Sequence, residues 1–162
     1  MQFHRRLAIF GFAILAAIAL VAWFSLHPTN AILQTYHNST YRFSLMMPAD
    51  FTANEITDSN ASTTILLQNR SGDGVQILIL PWDEPAGALT PERITKSTGL
   101  PVNNAQPIKI NGATGLTFKS DNSAFDGATS EGWFTYGGNV YEISTYARND
   151  ALLKSMLASW TF

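Results

Sequence analysis

The stretch "TYRFSLMMPADF", residues 40–51, decides the fold. Tyr41, Phe43, Leu45 and Met47 alternate with Arg42, Ser44 and Met46, the period of two that gives a strand one buried face. Pro48 has no N–H to offer a ladder and ends the run, and an aromatic, Phe51, stands three residues on.

Working outward toward the C-terminus, the same period recurs in pairs. Residues 63–68 and 75–80 are β-rich apolar runs about a Gly-bearing polar turn at 69–74, which predicts a hairpin. Residues 107–110 and 113–120 flank Asn111-Gly112, two residues that accept the positive φ a tight hairpin turn requires. Residues 133–136 and 140–146 flank Gly137-Gly138-Asn139, and a polar loop over 121–130 is expected between these last two hairpins.

Two helices are expected. Thr90 can cap, Pro91 suits the first helical position and Gly99 stops a short helix over 91–98. Asn149 or Asp150 can cap a closing helix in which Leu152, Leu153, Met156, Leu157 and Trp160 share one face. The expected fold is α+β: an antiparallel β-sheet of about six strands packed against two helices, preceded by one N-terminal transmembrane helix.

The frame Tyr41-x-Phe43-x-Leu45-x-x-Pro48-x-x-Phe51, the paired hairpins and a closing helix that runs into Ser159-Trp160-Thr161-Phe162 resemble the PsbP-like family, in particular its small membrane-tethered bacterial members. The resemblance covers residues 36–162. It implies an antiparallel sheet with helices packed on it and a role in binding or assembly, and it carries no catalytic motif onto this chain. The matching positions are core and turn residues, which speak for fold, and a fold does not decide a function.

At the other end, residues 7–26 hold 20 positions without a charge. At about 1.5 Å per residue such a helix spans about 30 Å, the hydrocarbon thickness of a bilayer. Arg5 and Arg6 precede it and no Lys or Arg follows until Arg42, a bias that keeps the N-terminus inside. The expected layout is a basic cytoplasmic N-terminus at 1–6, a signal-anchor helix at 7–26 contacting the lipid bilayer, a short connector at 27–37 and an extracytoplasmic domain at 38–162. The apolar run exceeds the roughly 7–15 residues of a cleavable signal peptide; a secreted or periplasmic domain cut at Thr29-Asn30-Ala31 is the alternative.

Composition narrows the partners. Only 14% of the 162 residues are charged, and Cys is absent, which removes disulfides, thiolate nucleophiles, thiolate metal sites and acylation at Cys. Beyond Arg6 the chain carries eight Lys and Arg (ten less Arg5 and Arg6) against twelve Asp and Glu, a balance of minus four. An acidic domain argues against nucleic acid; another envelope protein or a small ligand is the expected partner.

Motifs for catalysis are sparse. The histidines are His4, His27 and His37, at or before the first edge of the folded body, so a His-based triad or zinc site has no residues to use. Laid on an EF-hand loop starting at Asn122, the acidic stretch at 120–131 puts Ala124 at a ligand position and Trp133, beyond its end, where the bidentate Glu belongs, so it reads as a solvated loop. No catalytic, cofactor-binding or metal-binding residue is assigned. The expected function is a membrane-anchored binding or assembly module without catalytic activity. The alternatives are an envelope hydrolase using Asp121, Asp126 or Glu131, and a purely structural, pilin-like envelope protein. Asn38-Ser39-Thr40 also matches the three-residue glycosylation acceptor.

One candidate partner site stands out in "LPWDEPAGALTP", residues 80–91. Trp82 lies beside Asp83 and Glu84, and Pro85 and Pro91 stiffen the loop, which lowers the ordering cost of presenting an aromatic to a partner. The plainer reading is that Trp82 folds back under the short helix and covers the sheet.

Overall fold

The computed structural model describes residues 32–58 and 62–162. The basic N-terminus at 1–6 and the anchor expected at 7–26 lie outside them. Among the described residues no helix is long and apolar enough to cross a membrane.

The chain runs β1 (Leu33–Asn38), β2 (Phe43–Pro48), β3 (Thr52–Thr57), β4 (Thr63–Gln68), β5 (Gly74–Pro81), α1 (Pro91–Thr98), β6 (Asn103–Ile110), β7 (Ala113–Asn122), β8 (Gly127–Tyr136), β9 (Asn139–Tyr146) and α2 (Asp150–Ala158). Strands β1 and β2 form a hairpin of their own, and the other seven form one sheet in the order β3-β4-β5-β9-β8-β7-β6, antiparallel throughout. The α+β class stands, and the sheet is larger than the six strands expected.

The additional strands share a physical reason. All six positions of β3 are exposed, so it has no buried face to print an alternation. Strand β1 occupies the far end of the stretch expected as a connector at 27–37; it buries only Tyr36 and Asn38 and is held by pairing with β2. The polar loop expected over 121–130 shrinks to a hairpin tip, a 3-10 turn at Ser123–Phe125 between β7 and β8. Polarity hid that strand because its buried positions there are Thr129 and Ser130.

Sequence patterning explains the main core. Ile65 and Leu67 of β4, Val75, Ile77 and Ile79 of β5, Tyr141 and Ile143 of β9 and Phe134 of β8 form one cluster of buried side chains. The β1–β2 hairpin supplies Phe43, Leu45 and Met47 to it, and α2 supplies Leu153, Met156 and Leu157. Phe51 joins the same cluster, which is what the aromatic after Pro48 is for. The helix lies close over β8: a Cβ at Gly132 would come within 2.7 Å of Leu157 Cδ1.

A smaller cluster occupies the opposite face. Leu89, Ile94, Phe118, Trp133 and Val140 pack there beneath α1. The helix is built as its residues dictate: the Thr90 hydroxyl accepts from the Arg93 N–H, Pro91 holds the first position, and Gly99 ends it at φ 72°, a left-handed conformation suited to glycine. Ile94 is the one residue α1 buries fully, so the helix depends on this contact to stay docked.

Candidate functional site

Alternation along β5, β8 and β9 sends Leu80, Trp133, Val140 and Glu142 to the face that carries α1. Leu80 stands opposite Val140 and Trp133 opposite Glu142 in the ladder. Leu80, Val140 and Glu142 floor a cleft of about 220 Å³, walled by Trp133, by Arg93, Ile94 and Ser97 of α1 and by Trp82 and Leu89 of the preceding loop.

Trp82, Asp83 and Glu84 all line this cleft. The structure places Trp82 half-buried against the second core cluster, its backbone N–H donating to the Gly138 carbonyl at 2.8 Å. The Arg93 guanidinium lies 5.7 Å from the centroid of its ring, within cation–π range. The indole Nε1 is buried and has no hydrogen-bond partner among the described residues. Asp83 is exposed at the rim. Glu84 accepts from Arg93 Nη2 at 2.6 Å and from Nε at 3.1 Å, and the guanidinium holds its carboxyl below the usual carboxylate range.

Three further residues complete the site, and the sequence reading passed over them. Arg93 and Ser97 are four apart on α1 and so face the same way. Glu142 is the more consequential. It sits in the middle of an otherwise apolar and hydroxyl-bearing strand, and a charged residue inside a central strand was the available signal. Its carboxylate is half-buried and makes no hydrogen bond or ion pair with the described residues. Burial, reinforced by the negative charge of Glu131, pushes it up to about 7.

Glu131 lies on the same face, two register positions away: it is paired with Ser144, and the next pair on that face is Trp133 with Glu142. It is 1% exposed and accepts from Thr129 Oγ1 at 2.6 Å, from the Ser144 hydroxyl and from Trp133 Nε1 at 3.3 Å. Burial raises its pKa while these donors oppose the rise. Spending the Trp133 N–H on Glu131 also fixes the indole as a wall of the cleft. The two carboxylates therefore differ in use: Glu131 is sealed inside, and Glu142 faces the cleft as an acceptor with no donor among the described residues.

The carboxylates expected of a hydrolase do not converge. Glu131 shares its face of the sheet with Thr129, whereas Asp121 pairs with Ala128 and so points to the other face. Asp126 is exposed in the turn after Ser123–Phe125, at φ 52°. His37 bonds Ser44 Oγ at 2.9 Å, and among the described residues no group of three or more His, Cys, Asp or Glu could hold a metal ion. Asn38 is 2% exposed, with its amide nitrogen on Tyr36 and Glu55, so the glycosylation pattern falls on a buried side chain.

No protein-family model matches this chain, and no curated protein matches it. Among solved structures it is similar to the solution structure of cyanobacterial PsbP (CyanoP) from Synechocystis sp. PCC 6803, with a TM-score of 0.56 at 12% identity, over 85% of this chain and 98% of that one. It also aligns with a crystal structure from Bacteroides thetaiotaomicron VPI-5482 at a TM-score of 0.47 and 15% identity, over 79% of this chain and 47% of that one. The first likeness shows a PsbP-like fold, and at that identity it speaks for fold alone.

Proposed function

We propose that this chain is a non-catalytic binding or assembly module, tethered through residues 7–26 to the outer face of the cytoplasmic membrane, and that it binds through the cleft between α1 and the sheet. The observation that carries the reading is Glu142: a half-buried carboxylate with no partner among the described residues, at the floor of a concave site of mixed polar and apolar lining. A buried charge left unpaired costs stability, and a ligand that supplies the missing counterpart recovers it. The cleft is poorly equipped for turnover. Ser97 Oγ donates to the Ile94 carbonyl at 3.0 Å, Glu131 is sealed from the cleft, Glu84 is committed to Arg93 and Asp83 stands exposed at the rim, so no activated nucleophile accompanies Glu142. The PsbP-like fold is consistent with this role.

The experiment places a photoreactive residue at Asp83, on the rim of the cleft, and another at Ser155, exposed on α2, in the full-length chain in its native membrane. A discrete adduct from position 83 and none from position 155 is the expected result. Equal adducts from both positions, or none from position 83, would overturn the cleft as the binding site.

A further inference from the structure

We infer that the cleft receives a primary alkylammonium group, its alkyl stem along Leu80, Val140 and Ile94 and its charged head on Glu142. This deepens the binding role proposed above and rests on it. Three features of the site select that chemistry.

The first is charge. The groups that face the cleft or stand directly behind it are Glu142 and Glu131 on the sheet, Asp83 and Glu84 on the loop, and Arg93 on α1, and the one guanidinium is already paired with Glu84. An anion would meet carboxylates on two sides. A neutral donor could hydrogen-bond Glu142 but would leave its charge uncompensated. A cation completes it.

The second is the wall. The rings of Trp133 and Trp82 line the cleft beside Glu142, and aromatic faces attract a desolvated cation. Trp133 is held in place by its bond to Glu131, so this surface is organised before a ligand arrives. Arg93 shows the preference within the protein itself, since its guanidinium already lies over the Trp82 ring.

The third is size. At about 220 Å³ the cleft falls below the ~300–1,000 Å³ typical of sites that enclose a whole drug-sized ligand, and it suits one short chain with a charged end. An alkylammonium of that size comes from two sources, a free alkylamine or a lysine side chain, and the chemistry at Glu142 is the same for both.

The full-length chain in detergent is titrated with n-pentylamine, with n-pentanol and with Nα-acetyl-lysine methylamide, read by tryptophan fluorescence. Saturable binding of at least one amine is expected, at least tenfold tighter than pentanol, with Glu142→Gln bringing amine and alcohol to within about twofold. Tighter binding of the lysine derivative points to a side chain, and tighter binding of pentylamine to a free amine; both support the inference. Pentanol binding as well as the amines, or Glu142→Gln leaving the preference intact, overturns the ammonium while the cleft remains a binding site. Failure of all three probes also overturns it, and the adducts from position 83 then decide separately whether the binding role survives. A thermal melt of Glu142→Gln no lower than the parent's shows that the substitution has not acted by unfolding the cleft.

Discussion

Phe43 and Trp160 stack with ring centroids 4.3 Å apart and planes inclined by 17°, so the early hairpin and the end of the chain close on each other. Ser44 and Thr161 exchange backbone hydrogen bonds at 2.9 Å in both directions beside this stack, and Ser159 Oγ accepts from the Met46 N–H. Trp160→Ala removes a buried indole from the main core and is expected to cost about 3–5 kcal/mol. Removing everything after Asn149 also strips Leu153, Met156 and Leu157 from that core and is expected to abolish cooperative unfolding in a urea titration.

Gly115 sits on β7 opposite Phe134, against the strand that carries Trp133. A Cβ there would approach the Trp133 carbonyl oxygen to 2.0 Å and the Phe134 Cα to 2.6 Å, both backbone atoms that cannot swing aside. Gly115→Ala is expected to destabilise the domain by about 1–3 kcal/mol or more, read as a lower urea midpoint. It should also disturb the Trp133 wall of the cleft, read as a shifted tryptophan emission.

Much of this architecture was written in local pattern. The alternation at residues 40–51, the turn at Asn111-Gly112 and the Thr90-Pro91 to Gly99 punctuation each carry their own physical cause, and β2, the β6–β7 hairpin and α1 form where those causes operate. What escaped was structure made by neighbours. Strand β3 is exposed at every position and exists because β4 pairs with it, and β1 is held by β2 in the same way. The loop residues Trp82, Asp83 and Glu84 were legible as a group because prolines bracket them. Glu142 and Arg93 were not, since only the assembled sheet brings β9 beneath α1.

Glu142 sets a pH dependence with a definite sign. Its folded value of about 7 lies above the ~4.3 of an exposed Glu, so between those values the folded state binds more protons than the unfolded chain. Stability contributed by the protonated carboxyl is therefore present at low pH and lost as pH rises toward and through 7. Glu142→Gln removes this loss and is expected to raise stability at pH 8, on the order of 1 kcal/mol because the open cleft lets water screen part of the penalty, with little effect at pH 5. Urea titrations of parent and variant at the two pH values check it; a parent stability that climbs from pH 6 to 8 without a matching climb in the variant would contradict it.

The tether makes its own prediction. With residues 7–26 spanning the bilayer, the full-length chain should stay in the membrane pellet after alkaline carbonate, and protease added outside spheroplasts should digest the domain. Complete release into the carbonate supernatant would contradict the anchor.

Filling the cleft tests its role most directly. Ser97→Trp, on the exposed mouth of the cleft, adds an indole to the site without removing a core contact, and the adduct from a photoreactive residue at Asp83 is then compared with that of the unfilled chain. The expected result is loss of the adduct with a melting temperature within about 2 °C of the parent. An adduct of undiminished yield from the filled protein would show that the partner sits elsewhere.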